Sequence, residues 1–242
     1  MNPRILEVRR NILKKNDESA RILRTKFLQD RTLVVNLVSS PGTGKTTLLQ
    51  RTLRELRERD HRPIALVGDL ATDNDARRLA ESGVPVRQIT TDGCCHLEAD
   101  MISQHLADWS PGPADFLFIE NVGNLVCPAS YDLGESIRVV LVSVTEGEDK
   151  PLKYPKLFNS ADVAVLTKVD LSEACDFDRS ALVNSIHDVR PGMTIFDTSA
   201  KTGAGMEAWL EFLVEERDEA FGRPSNAAEV GLPPAPLGSR VP

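Results

Sequence analysis

Cysteine is scarce in this chain. There are four in 242 residues, none spaced as C-x₂-C, so a disulfide framework and a zinc-finger pattern are both excluded. No apolar run approaches the roughly 20 residues of a membrane span. The opening Met1-Asn2-Pro3-Arg4 runs into a charged pattern rather than a secretory leader. The expected location is therefore the cytoplasm, with no membrane partner. Positive charge is not in excess either: Lys+Arg number 29 against 36 Asp+Glu, a net charge of -7. That argues against a general nucleic-acid binder, though not against a local phosphate site. No internal repeat is present. The length suits one substantial core with extensions.

What is present is concentrated in residues 34–49, VVNLVSSPGTGKTTLL. A β-branched run enters a glycine-containing loop that ends in Gly-Lys-Thr and opens into a helical segment, the order a P-loop requires. Gly42 and Gly44 let backbone N–H groups turn toward phosphate oxygens, with Ser40 and Thr43 between and beside them. Lys45 can neutralise β- and γ-phosphate charge. The Thr46 hydroxyl can bind Mg²⁺, and Thr47 continues the helix start. The first position of the motif is Ser39 rather than glycine.

The apolar pattern predicts strands over 32–39, 63–69, 86–89, 116–121, 138–144, 163–167 and 194–198. Helices are predicted over 45–58, 73–81, 97–107 and 206–221. The implied class is α/β: a mostly parallel P-loop NTPase sheet flanked by helices. Before it, Ile5, Val8, Ile12, Ala20, Leu23 and Phe27 predict one or two amphipathic helices. The expected organisation is an N-terminal helical extension over 1–31, a nucleotide-binding domain over 32–221 and a Pro/Gly/Ser/Ala-rich tail over 222–242. The tail composition predicts disorder.

Acids at strand ends come next. Asp69 and Glu120 each end an apolar strand on the P-loop side of the sheet, where they could hold Mg²⁺ or its waters. Asp75, in ATDNDA, is a candidate for positioning an attacking water. Capping of a helix N-terminus explains Asp73 and Asp75 equally well. Later, Thr167-Lys168-Val169-Asp170 is similar to the Asn-Lys-x-Asp guanine motif of GTPases, with Thr first. A carboxylate at Asp170 accepts from guanine N1–H and N2–H₂, a donor pair that adenine lacks. Ser199-Ala200-Lys201 stands where GTPases place a backbone N–H on the guanine oxygen. GTP is thus expected over ATP.

GCCHLEAD and NVGNLVCP complete the pattern. Thiolate and imidazole suit Ni²⁺ and Zn²⁺, and Cys127 follows the Glu120 strand, which could bring it near Cys95 and His96. Three ligands are too few for a closed tetrahedral site, so a partner or second subunit would have to complete it. Spacing alone equally allows small, half-buried loop cysteines. Cys94 is a weaker candidate, and Cys175 reads as incidental.

Together the stretches VNLVSSPGTGKTTLL, GDLATDNDARRL, GCCHLEADM, FLFIENVGNLVCPASYDLGE, VTEGEDKPLKYP and TSAKTGAGMEAWLEFL resemble the HypB-like nickel-incorporation GTPases. The resemblance implies a slow, Mg²⁺-dependent GTPase that forms a nucleotide-linked homodimer. It implies Cys95, His96 and Cys127 as interface nickel (or zinc) ligands. It also implies a HypA-like metallochaperone and the [NiFe]-hydrogenase large subunit as partners. The chain lacks the Cys-rich N-terminal motif and the His-rich run of some members, which argues against nickel storage. A urease-serving relative would show Cys-Pro-His, where this chain has Cys-Cys-His and Cys-Pro-Ala. A chaperone of cobalamin enzymes, without a transition-metal role, and a plain P-loop kinase are the remaining rivals.

Overall fold

The computed structural model describes residues 3–69, 74–91 and 93–222, with backbone alone for 3–9 and 74. Seven strands form one wholly parallel sheet: β1 (Leu33–Ser39), β2 (Pro63–Asp69), β3 (Val86–Thr90), β4 (Phe116–Glu120), β5 (Ile137–Ser143), β6 (Val163–Thr167) and β7 (Thr194–Asp197), in the order β3-β2-β4-β1-β5-β6-β7. β4 inserts between β2 and β1, so the connections run opposite ways on either side of β1. Ligand crevices in open parallel sheets form at such switch points.

Every residue of β1 and β5 is buried, which explains why these strands read as continuous apolar runs rather than as alternation. The period of two still decides which face each side chain enters. Val35 and Leu37 pack on one face with α2 (Lys45–Glu58), α3 (Asn74–Ala80) and α8 (Met206–Phe221), through Leu49, Leu53, Leu79, Trp209 and Leu213. Val34 joins the other face, under α1 (Pro3–Gln29) and α4 (Ala99–Ala107), with Leu23, Phe27 and Ile102. Val38 joins a third cluster with α6 (Pro155–Ser160) and α7 (Arg179–Val189), through Phe158, Leu182 and Ile186. The short α5 (Lys150–Lys153) precedes α6.

The N-terminal pattern resolves into one 27-residue helix. Its buried stripe is Ala20, Leu23 and Phe27, whereas Ile12, which the sequence pattern assigns to that stripe, is 46% exposed. Among the described residues no helix is long and apolar enough to cross a membrane. Of the tail expected over 222–242 only Gly222, which follows α8, is among the described residues, and Asp73 lies outside them.

Candidate functional site

The P-loop joins β1 to α2. Gly42 (φ 76°) and Gly44 (φ 95°) both occupy the left-handed region, where a side chain would be strained, and Gly44 caps α2. Ser39, at the position usually held by glycine, is the last residue of β1 and pairs with Leu141, so its extended backbone makes no demand for glycine. A cleft of about 540 Å³ opens over this loop, lined among others by Ser40, Lys45, Thr47, Asp69, Asp75 and Gly123.

Within it, Glu120 organises the cations and hydroxyls. Thr46 Oγ1 donates to Glu120 Oε1 at 2.7 Å, and Lys45 Nζ stands 3.5 Å from the same oxygen. The other carboxylate oxygen, Oε2, is buried without a hydrogen-bond partner. Burial raises the Glu120 pKa, and the Lys45 charge and Thr46 hydrogen bond only partly oppose it. An orphaned buried carboxylate oxygen beside a P-loop threonine fits a divalent cation. Thr46, Glu120 and Asp69 are the residues that would hold Mg²⁺ and its waters. When bound, the ion supplies charge neutralisation at the phosphate oxygens. Asp75, in the first turn of α3, lines the cleft over the P-loop and pairs loosely with Arg78 at 3.7 Å; its charge adds to the rise in the Glu120 pKa.

A second cleft of about 190 Å³ adjoins the first and shares Gly44, Thr47 and Lys168 with it. Asp170, Ser199, Ala200 and Lys201 line it. Thr167 Oγ1 donates to the P-loop carbonyl of Thr43 at 2.6 Å, so the first residue of Thr-Lys-x-Asp tethers the loop after β6 to the P-loop. Lys168 has φ 59° and its Nζ donates to Gly42 O at 2.6 Å, a second tether across the two clefts. Ser199 Oγ donates to Asp170 Oδ1 at 2.6 Å, and Arg51 Nη1 to Ala200 O at 2.9 Å. One residue here escaped the sequence reading. Glu146, inside VTEGEDKPLKYP, accepts from Thr43 Oγ1 at 3.4 Å, from Ser143 N at 3.0 Å and from Lys150, and so buttresses the P-loop from below.

The cysteine motifs meet on the far side of β4. Cys95 Sγ and Cys127 Sγ are 2.9 Å apart, and His96 Nδ1 is 3.8 Å from Cys95 Sγ. The candidate donor atoms of all three residues lie within 4.8 Å of one another. His96 Nε2 is buried without a hydrogen bond; the Glu98 carboxylate stands 3.4 Å from it, and the Tyr131 ring packs over the imidazole at 3.9 Å between centroids. Neither Glu98 nor Tyr131 was singled out from sequence, though a carboxylate two residues after a candidate histidine ligand is a usable signal. Asn124 Nδ2 donates to Cys95 O at 3.1 Å, and Leu97 N to Asn121 Oδ1 at 3.2 Å. These two asparagines of ENVGN hold one loop against the other. Two sulfur ligands and an imidazole, gathered with no fourth protein ligand in the group among the described residues, are a donor set that suits Ni²⁺ or Zn²⁺. Cys94 and Cys175 are exposed and outside this group.

A glycine-cornered phosphate loop at the switch point of a parallel sheet, with a lysine, a threonine and a buried acid converging on it, defines a P-loop NTPase. The CobW/HypB/UreG nucleotide-binding domain matches residues 33–197. The hydrogenase maturation factor HypB of Escherichia coli K12 is 48% identical over 219 residues, covering 88% of this chain and 73% of that protein. The hydrogenase/urease maturation factor HypB of Helicobacter pylori J99 is 40% identical over 220 residues, covering 89% and 90%. A crystal structure of Helicobacter pylori HypB in complex with nickel superposes with a TM-score of 0.80 at 42% identity, covering 86% of this chain and 97% of that one. The chain belongs to the CobW/HypB/UreG family of P-loop nucleotide-binding proteins.

Proposed function

We propose that this protein is a GTP-hydrolysing metallochaperone that delivers nickel during maturation of [NiFe]-hydrogenase. The observation that carries the reading is the convergence of Cys95, His96 and Cys127 at the end of the strand whose last residue, Glu120, contacts Lys45 and Thr46. Similarity to a HypB solved with nickel supports the choice of metal.

In this reading Lys45 and the amides of Ser40, Gly42, Thr43, Gly44, Thr46 and Thr47 bind phosphate. Asp170 accepts from guanine, Lys168 lies along its plane, and the Ser199-Ala200-Lys201 loop donates to its oxygen. Asp75 orients the attacking water. GTP favours a homodimer, which brings a second set of ligands to the nickel and completes its coordination. A HypA-like protein and the hydrogenase large subunit are the partners in transfer, and the cytoplasm is the compartment. The urease alternative is weaker, since Cys-Cys-His and Cys-Pro-Ala stand where that branch carries Cys-Pro-His.

The test is nickel titration of wild type and of the Cys95→Ala/Cys127→Ala double variant, with and without a non-hydrolysable GTP analogue. About one Ni²⁺ per dimer, tightened by the analogue and lost in the variant, is expected. Unchanged stoichiometry and affinity in the variant would overturn the assignment.

A further inference from the structure

Asn16 lies on α1, far in sequence from either cysteine motif, yet it is 5% exposed and both ends of its side-chain amide are used. Its Oδ1 accepts from Ala99 N at 2.9 Å, and its Nδ2 donates to Asp132 O at 2.8 Å. Ala99 opens α4, three residues after His96. The N-cap residue, Glu98, makes no side-chain cap bond of its own, so Asn16 supplies the acceptor from another helix. Asp132 follows Tyr131, whose ring covers His96, on the segment that began at Cys127. One amide from α1 therefore spans the ends of the two segments that carry all three metal-ligand candidates.

The surrounding contacts seat that amide. Lys15 and Ser19 bind Asp100, at 2.9 and 2.5 Å, and Arg24 binds Asp132 at 2.7 Å. Gly134 (φ 80°) lies so close under α1 that a Cβ there would come within 2.8 Å of Ala20 O. The Asn121 and Asn124 contacts join the same two segments directly, whereas Asn16 makes their spacing depend on a third element.

We infer that Asn16 is a positioning residue for the thiol–imidazole site: it fixes the separation of Cys95 and His96 from Cys127 and Tyr131, and so sets metal affinity without touching the metal. The inference rests on the metal-site reading above and extends it to α1. Both of the amide's bonds are needed. Asn16→Asp keeps an acceptor for Ala99 N but turns a carboxylate toward Asp132 O. Asn16→Ala removes both bonds.

The test uses full-length protein carrying Cys94→Ser and Cys175→Ser, so that only Cys95 and Cys127 remain as thiols. Two readouts are taken. One is the nickel dissociation constant, from the sulfur-to-nickel charge-transfer bands. The other needs no nickel: the affinity of phenylarsine oxide, which requires two thiols held a short distance apart. Asn16→Ala and Asn16→Asp should each weaken both by about 10–100-fold, the range typical of groups that orient metal ligands. GTP affinity should stay unchanged. Leu23→Ala, in the buried stripe of α1, serves as a variant with lowered melting temperature whose Asn16 bonds are intact. If it weakens nickel and arsenical binding as much as Asn16→Ala does, the effect is general loosening and the inference is overturned. Unchanged affinities in both Asn16 variants overturn it too. If wild type binds no nickel while Asn16→Ala still weakens the arsenical, the metal reading fails and the positioning role stands.

Discussion

The two clefts over the P-loop and the thiol cluster beyond β4 are built on opposite terms. In the nucleotide region the polar side chains over the clefts are mostly paired within the chain, with Glu120 Oε2 as the exception. Thr46 is bonded to Glu120, Lys168 to Gly42 O, and Asp170 to Ser199. On the proposed reading, nucleotide binding there would exchange one set of hydrogen bonds for another. In the thiol region the donor atoms stand against one another: the two sulfurs are 2.9 Å apart, and His96 Nε2, without a hydrogen bond, faces the Glu98 carboxylate at 3.4 Å. A fully satisfied cage would hold its cargo; an exchange site with prepaired groups discriminates by shape and by what it rejects.

Separate breakage of the two regions tests this contrast. The largest effect is expected for Lys45→Ala, which removes the cation nearest the developing phosphate charge. GTP turnover should drop by about 10²–10³-fold or more while nickel charge-transfer bands in the nucleotide-free protein keep their intensity. Loss of both signals would mean that the regions are one unit. Asp170→Ala follows, with GTP affinity weakened by about 2–4 kcal/mol because two guanine donors lose their acceptor. Isothermal titration checks it, and equal affinity for wild type and variant would remove Asp170 from base reading. Asp170→Asn should also shift preference toward xanthosine nucleotides.

On the other side of β4, Cys127→Ala should remove nickel binding measured at micromolar metal, and Cys175→Ala should leave it intact. Because each thiol must give up its proton to bind metal as a thiolate, wild-type affinity should fall as the pH is lowered. Asp75→Ala sharpens the nucleotide half: turnover should fall about tenfold, as for loss of a water-orienting group, with little change in nucleotide affinity. If it lowers only the melting temperature, Asp75 is a helix cap and nothing more.

The smallest effect belongs to neither region. Asp115 lies at the opposite edge of the sheet. Burial would raise its pKa, but hydrogen bonds and charge from Arg62, together with the charge of Arg217, outweigh burial and hold it below the ordinary carboxylate value. A folded-state pKa that is depressed stabilises the protein above the unfolded value and is lost as the pH falls through the folded one. Melting temperature should therefore drop in acid, below about pH 4. Asp115→Asn should lower it at neutral pH and flatten that decline. A decline as steep in the variant would show that other carboxylates govern it.

Much of the nucleotide region was legible before any coordinates, because its chemistry is local. A strand running into Gly-Lys-Thr, an acid closing an apolar strand, and Thr-Lys-x-Asp followed by Ser-Ala-Lys each place their chemistry within a few residues. Glu120, at the end of β4, meets Thr46 through a 2.7 Å hydrogen bond. What could not be read is what depends on distant pairing. Glu146 reaches Thr43 across 103 residues, and Asn16 reaches Asp132 across 116. No local pattern announces either. The α7 helix was missed for a different reason: only Leu182 and Ile186 of its eleven residues are buried, so its apolar period is too thin to show. The insertion of β4 between β2 and β1 is likewise invisible to strand patterning, yet it decides which motifs become neighbours.

That insertion has a structural consequence. Glu120 and Asn121 are consecutive, and successive side chains along an extended chain point to opposite faces. Glu120 reaches the α2 side, through Thr46, while Asn121 takes Leu97 on the α4 side. Asn121 N donates to Leu37 O at 3.0 Å, so the pairing with β1 continues one residue past the end of β4. Two consecutive residues thus serve both layers of the molecule: the carboxylate answers to the phosphate loop and the amide to the loop that carries Cys95 and His96.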